Sequence, residues 1–526
     1  MTFAQALLSH LFVGLVYFSA DYVAAQVQWD QFRGPHGNGH IVAPDLPENW
    51  SESQGVVWKT AIHDRGWSSP VVWGNQVWLT TAKLDGSKLY AICLDKRSGK
   101  IIHDKHLFDI QNAQPIAADN SYATPTSVID AKYVYVHFGT YGTACLDRDS
   151  AEIIWSRRDL NCDHEAGAGP ASSPILVDDL FIVNVDGRDV QYVIALDKHT
   201  GKTRWKTKRS VDFTDVPVHK RKAYSMPSLV EHNGQYQLVS NGAQGCYAYN
   251  PVTGNELWKV RHHGFSNAPR PIAGHGLLFT TVDRDNPELW AIRLGGSGDI
   301  SDSHVVWKET AAMPPRCSPL LVNDLLYLIN RLGIITCIDA KTGELLGEDD
   351  AGIGPNIYHG QWSSPSYGVV NGKGQLFFGG GDGWCYAFEP KPVYDEDEDL
   401  DFLRKIWWYD SNPPEYKKDK NGKAIKYPAA EGPNEINSTP VFYKGRVYVA
   451  HGQDPEHGEG VGHLVCLDPS KKGDITKSGE IWSYKGIKRW EFEPDTFLLA
   501  NFGDEHKCCR DCSYATSATC YVACAR

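Results

Sequence analysis

One repeated unit decides what this chain can fold into. The stretch Ala171–Trp205 reads ASSPILVDD, LFIVNVDGRD, VQYVIALDKHTGK and TRW. Three apolar runs rich in β-branched residues, parted by Asp-Asp and Asp-Gly, predict short antiparallel strands. In the DKHTGK connection, Asp197 can accept backbone N–H bonds and Gly201 can take φ > 0 without steric cost. A fourth strand, TRWKT, turns Trp205 to one face and Arg204 and Lys206 to the other. A single meander of this kind cannot bury both faces. It needs copies of itself.

The copies are there. Each follows a Pro-marked entry: Ser69-Pro70, Thr124-Pro125, Ser173-Pro174, Met226-Pro227, Ala268-Pro269, Ser318-Pro319, Ser364-Pro365 and Thr439-Pro440. The turn recurs as DKRSGK (Asp95–Lys100), NPVTGN (Asn250–Asn255), DAKTGE (Asp339–Glu344) and DRDSAE (Asp147–Glu152), where Ala replaces Gly. Outer-strand tryptophans follow at Trp155, Trp205, Trp258, Trp307, Trp408 and Trp482. Copies one and six carry His103 and Gly347 near that place. Four-stranded units spaced mostly 42–55 residues apart predict propeller blades rather than a helical solenoid. Eight units predict about eight blades.

Repeats of the form SSP…LYALD…TGxxxW resemble the pyrroloquinoline-quinone-type (PQQ-like) β-propellers. The resemblance implies an all-β ring in which an outer-strand Trp of one blade docks on the next. That family includes quinoprotein dehydrogenases and non-enzymatic relatives such as the outer-membrane assembly lipoprotein. WDQFRGPHGNG (Trp29–Gly39), PELWAIRLGGSGDISDSHVVW (Pro287–Trp307) and GQDPEHGEGVGHLVCLD (Gly452–Asp468) resemble an exported bacterial subfamily of mostly unassigned activity. The resemblance runs from Trp29 to Tyr484. It speaks to fold, and a fold does not fix chemistry.

Residues 1–25 read as a secretory signal peptide, with an apolar run Leu7–Ala20 and small residues Val23-Ala24-Ala25 before Gln26. Residues 26–55 form an N-terminal extension, 56–489 the propeller, and 391–433 an insertion within it. Val56–Thr60 (VVWKT) reads as an outer strand without strands of its own. No cysteine precedes Cys93, so no lipid-attachment site follows the signal, and no segment reads as a transmembrane anchor. Periplasmic or secreted localisation is expected. A net charge of −12 argues against nucleic acid, whose phosphates need a basic surface. The basic stretch Lys206–Lys222 reads as a solvated loop, and so does the acidic run Asp395–Asp401, which lacks the Gly-punctuated calcium loop.

Cys93, Cys145, Cys337 and Cys466 lie two residues before their strand-end Asp, while Cys246 and Cys385 lie four before Asn250 and Glu389. Even offsets keep all six on one face of equivalent strands, as small packing residues. Past Arg489 the repeats stop, and residues 490–526 hold Cys508, Cys509, Cys512, Cys520 and Cys524. The pair Cys508-Cys509 resembles the vicinal disulfide of quinoprotein dehydrogenases but falls outside any blade. A shifted reading frame or a non-homologous extension is the expectation for this tail.

Residues before the Pro entries are expected near the channel mouth: Trp67, Tyr122, Tyr224, Asn267, Arg316, Trp362 and Asn437. Such a funnel suits a planar, anionic or sugar-like ligand, although packing of the blade seams explains the same residues. The Gly-rich loop Gln453–His463 offers Asp454, Glu456, His457, Glu459 and His463 to a divalent ion; a long hairpin loop is the plainer reading. Neither GxSxG nor a phosphate-cradling loop is present. The leading expectation is therefore a non-catalytic binding propeller facing an envelope protein or polysaccharide. The alternatives are a PQQ- and calcium-dependent oxidoreductase, whose ordered site motifs are not matched here, and a metal-binding module.

Overall fold

The computed structural model describes residues 28–39, 48–51, 54–116, 120–164, 169–310, 313, 317–349, 351–357, 361–397, 399–412, 421–423, 434–436, 438–453, 463–485 and 496–497. The signal region, the tail beyond 497, Arg316, Asn437, Asp454, Glu456, His457 and Glu459 lie outside them. The described strands form eight four-stranded antiparallel meanders. In chain order these are blade 1 (71–109), blade 2 (128–157), blade 3 (175–208), blade 4 (228–261), blade 5 (272–309), blade 6 (320–348), blade 7 (366–410) and blade 8 (441–485). Each Pro entry stands one to three residues before a first strand. First strands of blades 1 and 2, and of 7 and 8, lie against each other. The chain is an all-β propeller, with strand one innermost.

In all eight blades the pairing of strands three and four slips by one residue at the same place. The residue just before the slip stands opposite a small one. Trp155 faces Cys145, Trp205 faces Ala195, Trp258 faces Ala248, and Trp482 faces Cys466. His103 faces Cys93 and Gly347 faces Cys337, so the two exceptions hold the same structural position. A bulge re-aims its side chain, and here the Cys or Ala opposite leaves room for the indole. Blade 7 corrects the sequence expectation: Trp407, fully buried opposite Ala387, holds the position, and Trp408 pairs with Tyr386.

Two devices seal the seams. Where the next blade has a short turn, the ring lies on that turn. Trp155 Nε1 donates to Lys198 O (2.8 Å), Trp205 to Pro251 O (3.1 Å) and Trp307 to Ala340 O (3.3 Å). The turn glycine has φ of +69° at Gly201, and a Cβ there would sit 2.6 Å from the Trp155 ring. Only glycine satisfies both demands. Where the next blade has a long connection instead, that connection returns as a parallel strand on the preceding blade's outer edge. Gly298–Asp299 pairs with blade 4, Leu400–Phe402 with blade 6 and Gly473–Asp474 with blade 7. Each brings a buried aliphatic anchor, Ile300, Leu403 or Ile475, whose N–H donates to an outer-strand carbonyl. Part of the acidic insertion is thus blade structure, and Lys405–Asp410 is the outer strand of blade 7.

Residues 48–62 join blade 8 to blade 1. Trp482 Nε1 donates to Glu48 O (2.7 Å), and Trp50 packs on the cluster of Leu464 and Tyr484. Ten residues on, Trp58 Nε1 donates to Lys96 O (2.8 Å) and Thr60 Oγ1 to Gly99 O (2.6 Å). Val56–Thr60 therefore treats blade 1 as an outer strand treats its neighbour, while blade 8 keeps its own fourth strand, Glu480–Lys485.

The segment 28–39 lies along the inner edges of the ring. Trp29 and Val72 exchange N–H···O bonds of 3.0 and 2.6 Å on the first strand of blade 1. Ile129 N, on the first strand of blade 2, donates to Asp30 O (2.9 Å). Phe32 packs into the seam of blades 3 and 4, and Arg270 donates to the His36 and Gly37 carbonyls. This is a strap across the inner strands of the first five blades.

Candidate functional site

Strand-two ends and Pro entries meet on the channel face, where they wall a cavity of about 40 Å³ between blades 2, 3 and 4. Blade 2 supplies His137 from the end of Tyr133–His137, and its exit segment supplies His164. Blade 3 contributes Asn184 and Asp186, and the entry to blade 4 contributes Lys222 and Tyr224. The wall is held by a dense polar frame. Asn184 Nδ2 donates to Ser225 O (2.7 Å) and its Oδ1 accepts from Ser240 Oγ (2.9 Å). Asp186 binds Arg209 through contacts of 2.6 and 3.0 Å, with both side chains buried. Asp163 binds Arg188 (2.9 Å).

The two imidazoles are neutral at pH 7. Burial pushes His164 down to about 4, against the pull of Asp163, and burial with the neighbouring His164 takes His137 down to about 3. His137 Nδ1 shares a 2.7 Å hydrogen bond with Thr143 Oγ1. His164 stacks on Tyr141 at 5.4 Å, and its Nε2 is buried with no hydrogen-bond partner. Lys222 is 1 % exposed, its amine 5.4 Å over the Tyr224 ring.

Two of the residues expected at the channel mouth flank this pocket. Tyr224 lines it. Tyr122 Oη donates to Gln114 O (2.8 Å), Gln114 Oε1 accepts from His164 N (2.8 Å), and the Tyr122 ring meets Tyr141 edge-on. Asn267 is buried and fully engaged: its Nδ2 donates to Gly242 O, its Oδ1 accepts from Asp283 N, and its carbonyl accepts from Tyr224 N and Ser225 N. Trp67 repeats that last tie, with its N–H and that of Ser68 both donating to Ala123 O. Trp362 is buried. Among the described residues no ring contact joins any two of Trp67, Tyr122, Tyr224 and Trp362.

Of the expected metal loop, His463 is described. It is buried opposite His451, ring centroids 4.9 Å apart, and burial holds His451 well below the usual imidazole range. Among the described residues no group of three His, Cys, Asp or Glu side chains is placed to hold a metal ion.

His137, His164 and Lys222 were not singled out by their sequence. Lys222 closes a basic stretch that reads as a solvated loop, yet Lys222 and Arg209 are both buried. A buried cation in such a run leaves no composition signal, because its burial comes from the neighbouring blade.

A family model described as outer membrane protein assembly factor BamB matches residues 49–221 and 189–389. No curated protein matches the chain. Among solved structures, BamB from Moraxella catarrhalis is 13% identical over 59% of this chain and 80% of its own, with a TM-score of 0.40. A europium-containing methanol dehydrogenase is 12% identical over 80% and 85%, with a TM-score of 0.44. The quinohemoprotein alcohol dehydrogenase ADHIIG from Pseudomonas putida HK5 is 13% identical over 67% and 76%, with a TM-score of 0.33. Among the described residues no helix is long and apolar enough to cross a membrane.

Proposed function

The chain belongs to the PQQ-type repeat family described as outer membrane protein assembly factor BamB, and on that premise we propose that it is an exported, non-catalytic binding propeller. Its partner is an envelope protein or polysaccharide, met by the loop face and the outer rim. The observation that supports this reading is the strap at 28–39. Backbone hydrogen bonds seat it on the inner edges of blades 1 and 2, and Arg270 holds its far end. A lumen edge occupied by the chain itself leaves loops and rim as the surfaces open to partners.

A quinone with calcium would need carboxylate and amide donors gathered around the ion. Among the described residues no three His, Cys, Asp or Glu side chains are gathered to hold an ion. The experiment uses the purified chain in two arms. Crosslinking in an envelope extract, followed by mass spectrometry, is expected to return a defined envelope partner joined to loop or rim lysines. Addition of PQQ and Ca²⁺ is expected to give neither a bound-quinone absorbance nor dye-linked alcohol or sugar oxidation. A quinone spectrum with turnover overturns the reading.

A further inference from the structure

We propose that the outer strand of blade 3, Thr203–Lys208, is a docking edge for an extended acidic segment of a partner protein, which adds to it as a fifth, parallel strand. The inference rests on the rim being a partner surface and names the place on it.

The chain displays this mode of addition on its own edges. In blade 4 the returning strand Gly298–Asp299 runs parallel to the outer strand, with Asp299 opposite Lys259. Ile300 N donates to Lys259 O (2.9 Å), Ser301 Oγ accepts from Arg261 N (2.8 Å), and Asp299 meets Arg261 Nε at 2.8 Å. Blade 3 repeats the geometry with an open edge: among the described residues no strand pairs with the outer side of Thr203–Lys208. Arg209 N donates to Gln191 O, as His262 N does to Gln244 O in blade 4. By the antiparallel alternation, Lys206 and Lys208 therefore turn their N–H and C=O outward. They are the counterparts of Lys259 and Arg261, one and three residues past the seam tryptophan.

Charge selects the segment. Lys206 and Lys208 are exposed and two residues apart, so both stand on the side of the strand away from Trp205. Among the described residues neither is in an ion pair. The nearby carboxylates are taken, Asp159 by Arg157 (2.6 Å) and Asp197 by Arg204 (3.1 Å). At the two equivalent positions blade 1 has Asp104 and His106, blade 2 Ser156 and Arg158, and blade 5 Lys308 and Thr310. Of the open edges described, blade 3 alone repeats the cation pair that meets an acidic strand in blade 4.

The seam side of this edge is closed by blade 4, where Thr207 Oγ1 donates to Gly254 O (2.7 Å). Blade 4, by contrast, buries Ile300 in the cluster of Trp258 and Val260. The strand added to blade 3 therefore carries no aliphatic anchor. Its backbone holds it, with acidic residues at alternate positions facing Lys206 and Lys208. An anionic polysaccharide meets the charges but not the alternating backbone groups.

The test adds a dye-labelled peptide, ETETETE with blocked ends, to the full chain and follows its anisotropy and the amide exchange of residues 203–208. The peptide is expected to slow exchange at Lys208. It is also expected to bind about tenfold tighter than QTQTQTQ, which lacks the charges, and than ETETETE N-methylated at its threonines, which lacks the edge-facing N–H groups. Lys206→Glu with Lys208→Glu, both exposed, is expected to abolish binding. Equal affinity for the N-methylated peptide, or for dextran sulfate with exchange at 203–208 unchanged, means attraction of charge alone and overturns the proposal. An envelope partner crosslinked through other blades, with the peptide unbound, overturns this edge and leaves the binding reading standing. Should the double variant fail to fold, the peptide ranking in the unaltered chain decides.

Discussion

His103 Nε2 lies 2.9 Å from the Asp149 carbonyl, on the turn where Ala151 holds a φ of +55°. The four turns that receive a tryptophan carry glycine at the corresponding place: Gly99 beneath Trp58, Gly201 beneath Trp155, Gly254 beneath Trp205 and Gly343 beneath Trp307. Two oddities of the sequence, a missing Trp and a missing Gly, are thus one fact. The smaller imidazole leaves space for the one Cβ. Gly347 marks the other alternative, since its Cβ would meet Pro392 and the Asp401 carbonyl of the returning strand.

Gly201→Ala tests this pairing. It forces an L side chain into the left-handed region, at about 1–2 kcal/mol, and drives a methyl into the Trp155 ring. We expect a loss of roughly 2–4 kcal/mol in urea unfolding. Ala151→Gly, beneath the smaller ring, is expected to shift the same transition by less than about 1 kcal/mol. Equal effects at both sites contradict the account.

The returning strands carry their own expectation. Ile300 and Ile475 are buried anchors in the clusters of Trp258 and Trp407. Truncating Ile475 to Ala removes aliphatic burial worth about 2–5 kcal/mol. Faster amide exchange is expected first in Lys405–Asp410, the strand it covers, with blades 2 and 3 unchanged.

Much of the ring was legible in the sequence because each blade repeats the same local decisions. A Pro entry, a β-branched run, an Asp-led turn and an indole at a fixed offset can all be counted without coordinates. The returning strands escaped because GGSGDI and KKGDI read as turn sequence, and their partner strand belongs to the preceding blade. The repeat offset points to Trp408, whereas the bulge that sets Trp407 opposite Ala387 is a tertiary feature. The pocket escaped for a similar reason. His137, His164 and Lys222 are far apart in sequence and meet only where three blades converge.

The blade cysteines are expected to be inert. Burial pushes Cys246 and Cys337 up to about 12 and Cys466 up to about 11, and moves Cys93, Cys145 and Cys385 upward as well. The thiolate is the reactive species. Alkylation followed by peptide mapping should leave these six unmodified in native buffer and label them in denaturant. Rapid native labelling of any of them contradicts the packing role.

His63 gives the junction of blades 8 and 1 a pH dependence. Its Nδ1 lies 2.7 Å from Asp64 and its Nε2 3.1 Å from Asp104, while Lys83 meets Asp64 at 2.8 Å. Burial pulls its pKa down, but the hydrogen bonds to Asp104 and Asp64 outweigh it and hold it above 6.5. The stabilisation is therefore complete below 6.5 and is lost as pH rises through the raised value. For Asp64, burial is outweighed by Lys83 and His63, which hold it below 3.8, so its share is lost only as pH falls through that lower value. The gap in melting temperature between the unaltered chain and His63→Gln should narrow from about pH 5.5 to about pH 8. A constant gap contradicts it.

The strap is the claim on which the functional reading turns, and amide exchange of residues 28–39 in the intact chain tests it most directly. The account predicts that Trp29, bonded to Val72, and Ile129, bonded to Asp30, exchange at least about a hundredfold slower than free peptide, with or without PQQ and Ca²⁺. Exchange at the free-peptide rate, or protection that changes when PQQ and Ca²⁺ are added, would contradict it.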